Sequence, residues 1–461
     1  REIVIRHSKL RWDDELRQAP ELVLEDVNLV LHNRWLRHRL SLRAIPPQDM
    51  AAPLDVRADF SHPAFARSSD IARWKGLLYA DLRNTELSVW RAWFDYPIAI
   101  NSGRGSVRAW LTLDHAKVAN FTADLGLTDF NARLSRQLEP LSLKRVNGRI
   151  SASETLGPNA EDGVPTFGAN GHQVTLTDFS IETPDGFVLP PTSIAESYEP
   201  ATPLKAERTS VKATYLNLQT LSQLATRLPL APSQRKLLDD LAPRGELHDF
   251  TVQWQGTYPE LSSYRVNGRF KGLGLKGLPA HVEPRKNAAQ QARAQWAAFP
   301  GFSNLSGEID ASEKGGSVKV DAQQLAFELP TDLFRESSLP FDSLKLQARW
   351  QYLKDQTLQV DLDQMQFAQP GVAGSLSGQH LLPLQGRSAG SVDLHGELTS
   401  FDVKAIRRYL PQHMSEPLHR WLTEGLLAGN LKEVQFKLKG ALADFPFHTT
   451  KPGEQLKGVF Q

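Results

Sequence analysis

Apolar and polar residues alternate along most of this chain. Val27-Asn28-Leu29-Val30-Leu31, Leu111-Thr112-Leu113 and Phe121-Thr122-Ala123-Asp124-Leu125 set apolar side chains at every second position, the period of a half-buried strand. The pattern returns in Phe250-Thr251-Val252-Gln253-Trp254 and in Leu325–Leu329, which centres on Phe327. It continues through Leu344–Trp350 around Leu346, Leu358–Leu362 around Val360, and Val434-Gln435-Phe436-Lys437-Leu438. The intervening positions are Lys, Gln, Asp, Thr and Arg, so one face is wet, as in antiparallel sheets. Turn residues fall at short intervals: Asn147-Gly148, Pro184-Asp185-Gly186, Asn267-Gly268, Gly315-Gly316 and Pro370-Gly371, which predicts hairpins at each. Thr155–Gly171 and Pro190–Pro203 read as exposed loops, and Lys286–Phe299 as a helix or a crossing loop.

Helices are few, and they come in a unit that occurs three times. The helical parts open at Leu82-Arg83-Asn84 (with Leu87, Trp90 and Phe94), Leu216-Asn217-Leu218 (with Leu221, Leu224 and Leu228) and Phe401-Asp402-Val403 (with Ile406 and Tyr409). Each precedes a strand that opens on a glycine: Gly105, Gly245 or Gly429. Two further helices are predicted, Ser233–Leu241 before Pro243, and one after Ser415 with Pro417 in its first turn and Gly425 at its end. A repeated unit leaves a face that only its neighbour covers, so the array reads as extended. The expectation is one continuous segment over 1–461, with repeat units near 80–113, 214–256 and 399–440. It is mainly β: a long curved antiparallel sheet forming an open groove, with a few short amphipathic helices.

Composition removes several function classes. Lys plus Arg (53) nearly cancels Asp plus Glu (52), so nothing marks a nucleic-acid partner, which needs a basic stripe. There is no cysteine, hence no thiolate metal site, disulfide or thiol nucleophile. No apolar run reaches the ~18–20 residues of a transmembrane helix.

The catalytic motifs fail in context. Gly272-Leu273-Gly274-Leu275-Lys276-Gly277 matches a dinucleotide pattern, but no helix follows to receive a pyrophosphate. Gly386-Arg387-Ser388-Ala389-Gly390 matches a nucleophile elbow at Ser388, yet a strand-like Ser391–Gly396 follows where a helix is needed. His413 and His419, and likewise His32 and His38, lack a third ligand and read as solvated histidines. Asp13-Asp14-Glu15 reads as a hydrated turn. Trp74, Trp90 and Trp93 suggest a lipid-interface belt, but Trp90 is better read as a core anchor, since Leu224 and Tyr409 hold its place in the other copies. The reading assigns no catalytic, cofactor or metal residues.

From Tyr409-Leu410-Pro411 through Leu431-Lys432-Glu433-Val434 to Gly440-Ala441-Leu442-Ala443-Asp444-Phe445-Pro446-Phe447, the chain resembles the YhdP-type branch of the AsmA-like family of Gram-negative envelope proteins. The shared pattern is an aromatic-Leu-Pro, a helix ending near a glycine, a Gly-x-Leu strand and a Phe-Pro-Phe closing. The resemblance implies a periplasmic segment of a longer protein, with an inner-membrane helix and more β-structure outside this segment. It implies carriage of phospholipid between inner and outer membranes along a β-groove, supporting the outer-membrane barrier. It brings no catalytic residues.

Physical reasoning agrees. A sheet bent into a trough stabilises each acyl methylene by ~0.8 kcal/mol, and the headgroup stays wet at the open edge. About 25 strands at ~4.8 Å give a trough of about 120 Å. The expected groove lining is Leu29, Leu111, Leu113, Phe121, Leu125, Phe250, Val252, Trp254, Phe327, Leu346, Val360, Val434, Phe436 and Leu438, and the expected partners are phospholipid acyl chains. The rival readings are an envelope scaffold with a closed core and a hydrolase using Ser388.

Overall fold

A computed structural model of the chain describes residues 2–64, 70, 73–96, 98–115, 117–155, 170–228, 230, 232–256, 261–277, 281–282, 294–296, 301–328, 336–384, 389–410, 416–444 and 458–460. Among these residues 22 strands share one sheet. The chain is mainly β with a few short helices, and its strand pairings are antiparallel. The sheet is open: among the described residues its first strand pairs only with the second, and its last only with the one before it.

Two compact units are distinguished, Arg1–Tyr215 with Gln223–Arg235 and Gln253–Leu261, and Leu216–Ser222 with Lys236–Val252 and Ser262–Gln461. The first holds β1 (Glu2–Trp12), β2 (Leu22–Arg34), β3 (Arg37–Ile45), β4 (Leu54–Ser61), β5 (Lys75–Glu86), β6 (Ala99–Asp114), β7 (Lys117–Arg133), β8 (Leu141–Glu154), β9 (His172–Glu182), β10 (Val188–Glu199) and β11 (Arg208–Asn217). Each pairs with the next in sequence, a plain meander.

The second unit holds most of β12 (Arg244–Gln255), then β13 (Ser263–Leu275) and a detached pair, β14 (His281–Val282) with β15 (Ala294–Trp296). The meander continues through β16 (Phe302–Ser312), β17 (Gly315–Glu328), β18 (Ser338–Tyr352), β19 (Thr357–Gln369), β20 (Val372–Pro383) and β21 (Ser391–Asp402). β22 (Asn430–Leu431) and β23 (Val434–Ala441) both pair with β21, and β24 (Gly458–Phe460) pairs with β23.

Three expectations are corrected. Asn147-Gly148 and Asn267-Gly268 are not turns; they lie inside β8 and β13. Both glycines instead face close neighbours: a Cβ on Gly148 would stand 2.6 Å from the Phe179 Cα, and one on Gly268 2.8 Å from the Phe250 ring. Pro190–Pro203 is not a loop, because its first part is β10. The register shifts between Leu189 and Thr192, so Pro190 and Pro191 occupy a bulge where the ladder needs no N–H. Lastly, Leu82–Glu86, Leu216-Asn217 and Phe401-Asp402 are the ends of β5, β11 and β21, not helix. Most of Thr155–Gly171 and of Lys286–Phe299 lies outside the described residues.

Those strand ends explain how each helix starts. Glu86 closes β5 and its carboxylate accepts from the Ser88 N–H, capping α1 (Leu87–Trp90). Asn217 closes β11 and its Oδ1 accepts from the Thr220 N–H at 3.0 Å, at the start of α2 (Leu218–Leu224). Asp402 closes β21 and its Oδ1 accepts from the Lys404 N–H at 3.0 Å, starting a 3₁₀ turn over Val403–Tyr409. In all three copies the last strand residue satisfies orphan donors of the first helical turn. α3 (Pro232–Leu241) and α4 (Glu416–Arg420), the latter followed by a π turn over Trp421–Gly425, match the two further predicted helices.

In the first unit helices and loops cover one end of the apolar face and close dry clusters there. Trp90 and Trp93 pack with Leu22, Leu24, Val27 and Leu54. Trp90 is 4% exposed, and its Nε1 donates to Thr85 Oγ1 at 2.9 Å, so it is the core anchor expected. Leu87, Leu127, Leu143, Val146 and Leu224 form a second cluster; Val320, Leu325, Phe341 and Leu344 form one in the other unit.

Gly105 does not open its strand as expected but lies inside β6, and both it and Gly245, near the start of β12, have a steric cause. Gly105 has φ +149°, and a Cβ there would stand 2.0 Å from the Gly126 carbonyl oxygen. Gly245, at φ +99°, meets Gly272 in the same way at 2.5 Å. Gly126 itself has room, with Asn147 Oδ1 at 3.7 Å. Gly105→Ala should therefore cost about 1–3 kcal/mol and speed hydrogen exchange in β6 and β7, while Gly126→Ala leaves both nearly unchanged. Equal effects would show that the close approach is not the cause.

Candidate functional site

The registers line the apolar residues into rows that cross the strands. In the first unit one row runs Ile5, Leu29, Leu42, Val56, Ala80, Ala109, Ala123, Ile150, Leu176, Ile194 and Ala213, one residue from each of β1 to β11. Beside it run Ile3, Leu31, Leu40, Ala58, Leu78, Leu111, Phe121, Ala152, Val174, Glu196 and Val211. Directly opposed residues share a face, so both rows lie on one side, over about 50 Å at the usual strand spacing.

The second unit repeats this. One row is Gly268, Ile309, Val318, Ala348, Leu362, Gly378, Leu394 and Leu438. The next is Phe270, Gly307, Val320, Leu346, Met365, Leu376, Gly396 and Phe436. Large residues sit beside small ones: a Cβ on Gly396 would meet the Phe436 ring at 2.2 Å, so that ring lies over the glycine.

Every one of the expected lining residues falls on these faces or in strands that continue them. Leu29, Leu111 and Phe121 are in the two rows of the first unit; Leu125 opposes Val107, and Leu113 opposes Gly76. Leu346, Phe436 and Leu438 are in the rows of the second unit. Val360 opposes Trp350, Val434 opposes Leu398, and Phe327 opposes Phe302. Phe250 lies against Gly268, with Val252 and Trp254 on its side of β12 by alternation. All of them are half-buried, neither sealed like the clusters nor bare. Sequence alternation missed Leu40, Leu42, Val56, Leu78, Leu176 and Leu394. Their rows are diluted by Ala58, Ala80 and Gly378, and become visible only in register.

The opposite face is charged and self-neutralised. Arg57 Nη2 and Arg43 Nε meet Asp55 at 2.7 and 3.2 Å, Arg37 meets Asp59 at 2.6 Å, and Arg149 meets Asp124 at 2.6 Å. Hydrogen bonds from Arg57, Arg37 and Arg149 hold the Asp55, Asp59 and Asp124 carboxyls below the ordinary carboxylate range. In the second unit Arg349–Asp363 and Lys439–Asp393 continue the pattern, both at 2.7 Å. A depression of about 450 Å³ lies on this charged side, lined by Arg57, Tyr79, Leu77 and Trp110 among others. Arg57 lies 5.8 Å from the Tyr79 ring centroid there, and Leu40, Ala58 and Leu78 of the second row also contribute to its wall.

Other motifs resolve as follows. Gly272 and Gly274 lie inside β13. Ser388 and His413 lie outside the described residues. Among the described residues no group of three His, Cys, Asp or Glu is placed to hold a metal, and no helix is long and apolar enough to cross a membrane.

Apolar rows of this kind run across the described strands of each unit. The profile of the YhdP protein family matches residues 1–461. The chain belongs to the YhdP family. No curated protein and no solved structure matches it. For this YhdP-family chain, the candidate functional surface is thus the half-buried apolar face.

One polar residue interrupts it. Glu196 sits between Val174 and Val211 in its row, and His172 Nε2 is 3.0 Å away. Burial pushes the Glu196 carboxyl up, against the opposing pull of His172. The folded state then holds this proton more tightly than the unfolded chain does. Stability is fullest with Glu196 protonated and declines as pH rises through its raised value. Glu196→Leu removes that loss and completes the row, so the thermal midpoint at neutral pH should rise by about 2 °C, with little change near pH 4. A lower midpoint at neutral pH would show that the ion pair is stabilising.

Proposed function

We propose that this chain is the periplasmic segment of an envelope protein that carries phospholipid between inner and outer membranes. On this reading acyl chains lie along the apolar rows, an inner-membrane anchor lies outside the segment, and the role is non-enzymatic support of the outer-membrane barrier. The observation that carries it is the pair of apolar rows across β1–β11, broken only at Glu196, with most of their aliphatic side chains half-buried. A protein that needed this face only for its own stability would seal it, as the clusters at the helix-covered end are sealed. At ~0.8 kcal/mol per methylene, one acyl chain gains on the order of 10 kcal/mol against water before losses of freedom. The rows offer similar neighbours at successive strands, so a chain can shift along them without leaving a deep well. Family membership and the open sheet both support this reading.

The closed clusters favour a second reading, an envelope scaffold. The two differ in what touches the rows. Purified protein should carry phospholipid detectable by mass spectrometry, and photo-crosslinkers at Phe250 or Phe436 should capture it. Crosslinkers at Gln253 or Lys319, on the other face, should not. Capture at the outward positions alone would remove the conduit reading and leave the scaffold. Leu78→Asp, in mid-row, should cut co-purifying lipid at least about threefold.

A further inference from the structure

One step beyond Leu40, Ala58, Leu78 and Leu111, the apolar face reaches its rim. The next row reads His38, Phe60, Gly76 and Leu113. An imidazole stands where the pattern elsewhere sets a hydrocarbon. His38 is not solvated, as its sequence context suggests, because it stacks on Trp74 with centroids 4.7 Å apart and planes 8° apart. His62 stacks against both, 5.2 Å from the His38 ring and 6.0 Å from Trp74, and Phe60 tilts against Trp74 at 5.9 Å. Gly76 leaves the space that this packing uses: a Cβ there would meet the Phe60 ring at 2.5 Å.

The stack is poorly explained as packing alone. His38 Nε2 and Trp74 Nε1 are both shut from solvent, and neither has a hydrogen-bond partner among the described residues. A buried polar atom left unmatched costs about 1–3 kcal/mol. His38 Nδ1 lies 2.8 Å from Asn33 Oδ1, and His62 Nδ1 lies 3.0 Å from the Pro63 carbonyl. Both contacts set the proton on Nδ1, so protonation of either ring adds a new N–H at Nε2. The indole is a donor only. What these groups lack in common, once His38 is protonated, is an acceptor with negative charge.

Among the described residues the neighbouring charges are paired, Arg73 beside Trp74 with Asp70 at 3.1 Å. Arg37 and Arg39 are bound to Asp59 on the far face. Lys75 pairs with Asp114, which also meets His115, and His32 pairs with Glu2. Among the described residues His38 and His62 are the titratable groups within the stack itself.

We propose that the His38–His62–Trp74 stack is a phosphate-binding station at the rim of the apolar face, holding the phosphodiester head of a lipid whose chains lie on the rows beside Leu40 and Leu78. The lipid as source rests on the conduit reading; the oxyanion chemistry stands on the stack itself. Burial, then repulsion from His62, makes His38 harder to protonate, and a bound anion reverses that. Binding should therefore tighten as pH falls.

The test is calorimetric titration of the full chain with dihexanoylphosphatidylglycerol, inorganic phosphate and phosphate-free dihexanoylglycerol, at about pH 7.5 and about pH 5.5. The phospholipid should bind at least about threefold tighter at the lower pH. Trp74→Phe and His38→Phe keep aromatic stacking, so their melting points should stay level or rise while phospholipid affinity falls at least about threefold. Loss of inorganic phosphate binding in the same variants, with no binding of either lipid, would keep the station and remove the conduit. Phospholipid and phosphate-free lipid binding alike, indifferent to pH and to both variants, would keep the conduit and overturn the station. Absence of binding by any of the three probes would overturn it as well.

Discussion

Everything in this fold depends on cross-strand register. Side chains change face at every residue, so a slip of one position in a single pairing would exchange that strand's aliphatic set with its charged set. Leu40, Ala58, Leu78 and Leu111 stay in one row because Arg39, Asp59 and their neighbours stay in the adjacent one. The charged ladder on the far face thus acts as a register lock. Arg37 on Asp59 and Arg149 on Asp124 add little energy at the surface, but a slip would separate each pair and bring a like charge or a hydrocarbon opposite. Bulges punctuate the strands without breaking the pattern. Asp26, Asp129, Asp178 and Asp249 take φ near +46° to +49°, a region that Asp and Asn tolerate better than most residues.

The same face serves two purposes along its strands. Near the helix-bearing ends it is sealed and supplies the cohesion a long sheet needs. Towards the other ends most of its aliphatic side chains are half-buried. The helices arise where a strand ends in Glu86, Asn217 or Asp402, side chains that cap the turn they precede. A strand that ended in Leu or Val at those positions would leave the first N–H groups of the turn unsatisfied.

Much of this was legible in the sequence, for a physical reason. Period-two alternation survives wherever one face is dry, and it named Leu111, Phe121, Leu346 and Phe436 directly. The caps at Glu86, Asn217 and Asp402 act locally, whereas Gly105 and Gly245 answer to Gly126 and Gly272 on neighbouring strands. What could not be read depended on partners distant in sequence. Gly148 and Gly268 looked like turn residues because their actual neighbours, Phe179 and Phe250, lie on other strands. Pro190 looked like a loop because the bulge that shelters it is a property of the β9–β10 pair. His38 looked solvated because nothing beside it announces Trp74. The rows themselves were half hidden, since alanine and glycine in β4, β5 and β20 carry little hydrophobic signal until they are set beside leucine and phenylalanine.

The meander from β1 to β11 has a consequence for how such a chain changes size. Consecutive strands run in opposite directions, so a gained or lost single strand would reverse every strand after it and carry the capped helical turns to the wrong rim. A whole hairpin preserves direction, face and rim together. The length of this meander therefore changes in steps of two strands, about 10 Å each, a stepped rather than a continuous trait.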